Sequence, residues 1–271
     1  MEREMLELIR TKCVKENYRK LMDLNDPGLI DFVAKYVRHC NPASIFVCTD
    51  RDEDAEYIKS KAIEAGEEKR LAVSGHTIHF DGYHDQARDK KMTKYLLPPE
   101  VDLGPLNAVD KESGLNEIHG ILKNIMEGKE MFVCLFCLGP TDSPFSIPAV
   151  QLTDSSYVAH SESILYRRGY EEFKRRRQGK FFKIVHSAGV LEDGVSKNIK
   201  ERRIYIDLEN YIVYSSNTQY AGNTVGFKKL SLRMAIYKAS REGWLAEHML
   251  VMGVHGPDDR VTYFSGAFPS M

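Results

Sequence analysis

The sequence predicts an α/β fold of mixed α+β character, and three observations carry that expectation. Apolar residues recur at helical spacing through residues 2–24 and again after Pro27. Short continuous apolar runs of strand length stand at 44–48 and 131–138, separated by helical patterns. Residues 203–207 and 211–215 alternate and flank Glu209-Asn210, which reads as a hairpin.

Taken in order, residues 2–24 and 27–39 form a helical front end, with Pro27 pre-set for the first turn of its helix. The strand 44–48 leads to a helix that carries Tyr57, Ile58 and Ile63, with Asp52 or Asp54 as its cap and Gly66 as its stop. Residues 71–80 alternate and predict a strand. The stretch from Leu97-Pro98-Pro99 to Gly114 is loop-like, and a helix over 115–127 stops at Gly128. Residues 131–138 are the most apolar strand, ending at Gly139-Pro140, and a strand over 180–186 precedes the hairpin. No internal repeat or low-complexity segment occurs.

Composition bounds the function classes. Of 271 residues 42% are apolar, enough to supply a core, and 28% are charged with a formal net charge of −1. That balance gives no bulk attraction to nucleic acid or an anionic membrane. No apolar run approaches the roughly 20 residues needed to span a bilayer, and the start Met1-Glu2-Arg3-Glu4-Met5 is too charged for a secretory leader. Five scattered cysteines, Cys13, Cys40, Cys48, Cys134 and Cys137, argue against a secreted disulfide framework and for a reducing cytoplasm.

Three clusters carry possible chemistry. His76, His79 and His84, with Asp81 and Asp85, include metal-ligand types, but a strand would send neighbours to opposite faces, which favours hydrogen-bonded or surface histidines. Cys134 and Cys137 have the spacing of a metal or redox pair, yet on a strand they too diverge and read as buried thiols. Arg167-Arg168 and the run Lys174-Arg175-Arg176-Arg177 lie near Tyr170, Phe173 and Phe181-Phe182, a pattern able to bind single-stranded nucleic acid. The alternative is a helix with a solvated basic end.

The chain is organised around its last sixty residues. A small-residue loop, Asn217-Thr218-Gln219-Tyr220-Ala221-Gly222-Asn223-Thr224, precedes Lys228-Lys229 and a helix expected over 230–242. Trp244-Leu245-Ala246-Glu247-His248 then leads to an apolar run, a turn at Gly256-Pro257-Asp258-Asp259 and a final strand feeding Ala267-Phe268-Pro269-Ser270-Met271. The order YAGNT, KK, EGWLAEHM and AFPS resembles the GTP-dependent phosphoenolpyruvate carboxykinases. GPTDSPFSIPAVQLTDSSYVAHS and HDQARDKK are similar to two further stretches of that family.

The resemblance implies a fold and a reaction. It implies an amino-terminal substrate-binding domain over 1–243 and the truncated beginning of a nucleotide-binding domain over 244–271, including its first strand. It implies conversion of oxaloacetate and GTP to phosphoenolpyruvate, GDP and carbon dioxide in gluconeogenesis, in the cytoplasm, with manganese as metal and magnesium accompanying the nucleotide. Arg88 matches the arginine that grips the substrate carboxylate, a task suited to a planar fork. Tyr220, Ala221 and Gly222 match the substrate-binding loop, with Ala where the family often has Gly. Lys229 and His248 match two metal ligands, and Lys228 a neighbouring catalytic cation. Ser270 matches a serine that contacts substrate at the entrance of the phosphate loop, and Met271 stands where nucleotide contacts begin. The third metal ligand and the phosphate loop are expected beyond Met271, so this polypeptide alone is expected to be inactive. The rival expectation is a non-catalytic module that binds a carboxylate metabolite or, through the Arg175 region, nucleic acid.

Overall fold

A computed structural model describes residues 2–80, 91–176, 179–219, 225–247 and 249–267. The helical front end consists of α1 (Glu2–Lys12), α2 (Lys15–Asp23) and α3 (Pro27–Cys40), followed by β1 (Ser44–Val47) and α4 (Asp52–Glu64). Asp26 accepts a bond from Leu29 N at 3.1 Å and Pro27 follows it, so α3 starts where cap chemistry places it. The α4 cap differs from expectation. Arg51 occupies the cap position without a side-chain capping bond, and Asp54 is buried. Its carboxylate accepts from Lys20 Nζ at 2.9 Å and from Thr49 N at 2.9 Å, tying α2 to α4. A buried charge needs such partners, so Asp54 is taken from capping to pairing.

The alternating stretch 71–80 is not one strand. It contributes only β3 (Thr77–Ile78), which forms a short hairpin with β2 (Lys69–Arg70) just before it. Next come β4 (Thr93–Leu97), β5 (Ala108–Asp110) and α5 (Lys111–Leu122), which starts four residues earlier than the pattern indicates because Asp110 caps it through Ser113 N at 2.9 Å. The remaining elements of the body are β6 (Glu130–Leu138), β7 (Ile147–Thr153), α6 (Ser156–Leu165), β8 (Arg167–Arg168), α7 (Tyr170–Arg176), β9 (Phe182–Ser187), the hairpin β10 (Leu191–Glu192) and β11 (Val195–Ser196), β12 (Arg203–Asp207), β13 (Ile212–Ser216) and α8 (Val225–Glu242). The hairpin expected at Glu209-Asn210 is β12–β13, with Asp207 opposite Ile212.

One nine-stranded sheet runs β1-β6-β7-β9-β13-β12-β4-β5, with β8 on β6, and it is mostly parallel. Both faces are covered, which is why β6 is apolar throughout. Met131, Val133 and Leu135 face a core shared with Leu21, Leu29, Tyr36, Ile118 and Phe173 of α2, α3, α5 and α7. Phe132, Cys134 and Phe136 face the opposite core with Ile58, Ala159 and Met234 of α4, α6 and α8. The period-2 alternation of a strand thus feeds two helical layers.

Beyond α8, Gly243 takes φ +75° and Trp244 N donates to Ala239 O at 2.8 Å, a left-handed stop. Among the described residues, the strands β14 (Met249–His255) and β15 (Val261–Ala267) pair only with each other. Among the described residues, no helix is long and apolar enough to cross a membrane.

Candidate functional site

The sheet brings several loops to one edge. β7, β9 and β13 run parallel and end there at Thr153, Ser187 and Ser216. β12 is antiparallel to β13, so it begins there with Arg203 opposite Ser216, and β4 enters beside it with Thr93 opposite Ile204. The chain that precedes β4 carries Arg88, and the chain that follows β13 carries Tyr220, Ala221 and Gly222. Two expected substrate segments therefore attach to the same sheet edge, one on each side of β12. Ligands commonly bind at the carboxyl ends of strands in open α/β sheets.

The loop out of β13 is held by groups that a local pattern does not disclose. His186 on β9 is buried; its Nε2 donates to Thr218 O at 2.7 Å and its Nδ1 accepts from Thr153 Oγ1 at 2.7 Å. A carbonyl only accepts, which fixes the tautomer. Burial pushes the His186 pKa below its ordinary value, so the ring stays neutral near neutral pH. Arg202, also buried, donates Nε to Asn217 O at 3.2 Å, while Asn217 Nδ2 donates to Glu201 O at 3.2 Å.

A second anchor fixes the neighbouring loop. Asp154 accepts from Lys129 Nζ at 2.8 Å, Ser187 Oγ at 2.6 Å and Ala188 N at 2.9 Å, and Lys129 Nζ also donates to Gly189 O at 2.5 Å. Gly189, at φ +67°, lies so close to Asn217 that any Cβ would overlap its Oδ1. These contacts fasten the chain from Ser216 to Thr218, just before Gln219.

Gln219 is fully buried, and among the described residues neither its Nε2 nor its Oε1 has a hydrogen-bond partner. It lines a cleft of about 690 Å³ together with Glu67, Lys69, His79, Phe80 and Asp193. An unpaired buried amide costs about 1–3 kcal/mol. A bound polar group at this edge would recover that cost.

Of the expected site residues, Arg88, Tyr220, Ala221, Gly222, His248, Ser270 and Met271 lie outside the described residues. Lys228 and Lys229 sit within α8, which begins at Val225 rather than after them. α8 runs antiparallel to β13: Tyr237 packs on Tyr211, just before β13, at 6.2 Å between ring centroids. The helix start therefore lies at the candidate edge. Lysine and histidine both offer nitrogen donors, a type that suits a transition metal.

The other sequence clusters resolve into structural contacts. His79 Nδ1 meets Glu67 O at 2.6 Å and its ring stacks on Tyr157 at 3.5 Å, while His76 is exposed and bonded to Ser74 O; His84 lies outside the described residues. Among the described residues no group of three or more His, Cys, Asp or Glu forms a metal cluster. Cys134 and Cys137 are buried free thiols, as the strand reading expects. The basic cluster is engaged locally: Arg175 pairs with Glu172 at 2.5 Å, Arg176 donates to Ser146 O at 2.7 Å and Arg168 pairs with Asp52 at 2.8 Å, while Arg177 lies outside the described residues. A helix end with partnered basic residues offers little free charge for phosphates.

Comparison with known proteins adds a family to this geometry. The phosphoenolpyruvate carboxykinase N-terminal domain matches residues 31–240, and the phosphoenolpyruvate carboxykinase C-terminal P-loop domain matches residues 244–271. A Thermococcus sibiricus protein named phosphoenolpyruvate carboxykinase [GTP] is 58% identical over 97% of the chain. Proteins of the same name from Pyrococcus horikoshii and Saccharolobus solfataricus are 56% and 46% identical, each over 98% of the chain. The chain spans 43%, 43% and 42% of the length of these three relatives.

Proposed function

Because the chain belongs to the phosphoenolpyruvate carboxykinase family, we propose that it is the substrate-binding, amino-terminal part of a cytoplasmic, GTP-dependent phosphoenolpyruvate carboxykinase acting in gluconeogenesis. The whole reaction decarboxylates oxaloacetate, releasing carbon dioxide, and transfers the γ-phosphoryl group of GTP to the resulting enolate oxygen. Each half concentrates negative charge, so the protein must supply fixed cations and oriented donors. The observation that carries this reading is the attachment of the Arg88 segment and the Tyr220–Gly222 segment to one edge of the sheet, on either side of β12.

In this reading Arg88 clamps the substrate carboxylate. Backbone N–H groups of Ala221 and Gly222 approach the same anion, and the Tyr220 edge lies beside it. Lys228 adds a cation for the carboxylate that departs. Lys229, as its neutral amine, and His248 would hold a manganese ion, which supplies charge stabilisation for the oxygen that becomes negative. Ser270 touches substrate and Met271 adjoins the nucleotide, accompanied by magnesium. We assign 1–243 to the substrate domain and 244–271 to the start of the nucleotide domain. Gly243 ends α8 at that border, and the apolar residues Leu250, Val251, Met252 and Phe264 of the following hairpin are exposed.

The direct test is calorimetric titration of phosphoenolpyruvate into this chain with manganese present, against a single-stranded oligonucleotide as competitor. Saturable binding that the oligonucleotide leaves unchanged is expected. Salt-sensitive oligonucleotide binding with no response to phosphoenolpyruvate would replace this reading with the nucleic-acid one.

A further inference from the structure

Cys48 directly follows β1 and Cys134 lies on β6, the strand beside it. The two strands are parallel with Val47 opposite Val133, and Cys48 N continues the ladder by donating to Val133 O at 3.0 Å. The cysteines are therefore lateral neighbours one step beyond that pair. Adjacent strands lie about 4.7–4.9 Å apart, inside the Cα separation that a disulfide bridges.

Their side chains face the same way. Both point into the core beneath α4 and α6, with 8% and 2% of their surfaces exposed, and the sulfur atoms are 3.7 Å apart. A cavity of about 20 Å³ borders both residues and is lined also by Ala55, Ile58, Ala159 and Arg168. It gives the sulfurs room to turn toward each other.

We propose that Cys48 and Cys134 are a latent dithiol that closes to an intramolecular disulfide by exchange with a small-molecule disulfide. One S–H bond breaks on each cysteine and one S–S bond forms between them. The two electrons and two protons pass to the small disulfide, which leaves as two thiols. Neither the dithiol nor the product carries charge, so the apolar surroundings that oppose a thiolate do not oppose the bond. They govern its rate. The Cys48 contact and burial both raise the Cys134 thiol pKa well above its ordinary value, so exchange requires local opening and is slow in both directions. The bond would close a loop of 86 residues and tie β1 to the sheet.

The test equilibrates the purified chain with oxidised dithiothreitol a few degrees below its melting temperature. Non-reducing peptide mass mapping should give one crosslinked peptide pair containing Cys48 and Cys134, lighter by two hydrogens than the separate peptides. The melting temperature should rise on the order of 10 °C and return on adding reduced dithiothreitol. Cys134→Ala and Cys48→Ala, chosen to keep the site apolar, should each abolish the crosslink and the temperature shift. Recovery of both cysteines as separately alkylated thiols after denaturation, with no shift in the wild-type chain, would overturn the proposal even if a variant fails to fold. So would a crosslink to Cys13, Cys40 or Cys137 in place of the 48–134 pair.

Discussion

Arg88→Ala, introduced into a chain extended through the downstream phosphate loop, is expected to lower kcat/KM for oxaloacetate by about 100-fold or more. A forked arginine–carboxylate pair makes two charge-assisted bonds, and losing about 3 kcal/mol of them corresponds to a factor of ~10². Manganese affinity should change little, because the assigned ligands are Lys229 and His248. Steady-state kinetics and a manganese titration on the same preparation separate the two effects. Equal activity in mutant and wild type would remove Arg88 from the site.

Gly189→Ala is expected to destabilise the chain by roughly 2–3 kcal/mol and to weaken phosphoenolpyruvate binding with it. The residue combines φ +67° with a Cβ position that overlaps Asn217 Oδ1, and Asn217 leads into the loop that carries Tyr220. Displacing Asn217 also disturbs its bonds to Arg202 and to Glu201 O. Gly66→Ala is the control. It shares a left-handed φ of +73° but has nothing within 4 Å of the added methyl, so only backbone strain of about 1 kcal/mol is expected. Denaturant unfolding of both variants decides: equal losses would mean that the Asn217 contact carries no weight.

The front helices, β6 and the β12–β13 hairpin were legible because their signals are local. Asp26-Pro27 carries its own start signal, β6 its apolar run, and Glu209-Asn210 its turn. Non-local competition explains the elements that were not. Asp54 reads as a cap but is drawn to Lys20, which lies 34 residues away in sequence. The alternation of 71–80 is real, yet only two residues of it find a partner strand. Lys228-Lys229 reads as a helix-start pair, whereas the helix begins at Val225.

The site shows the same division. Its expected motif residues rest on family resemblance alone, since a lone arginine, a Gly-Asn turn or a lysine pair would each read as ordinary surface. The residues that hold the candidate loop gave no such signal. His186 is a single histidine in an apolar strand, and its partners Thr153 and Thr218 are 33 and 32 residues away. Arg202 stands beside Arg203 and looks like surface charge, but only Arg202 is buried. Gln219 adjoins a matched motif without belonging to it. That its amide is buried with no partner among the described residues is not marked by any local pattern.

The central claim is that this chain provides the substrate half of a GTP-dependent carboxykinase. Its most direct test is a manganese-dependent assay of oxaloacetate conversion to phosphoenolpyruvate with GTP, run on this chain and on one extended through the downstream coding sequence. Activity in the extended chain and none in the 271-residue chain is the expected result. No activity in either, with folding intact and the downstream phosphate loop verified, would contradict the account.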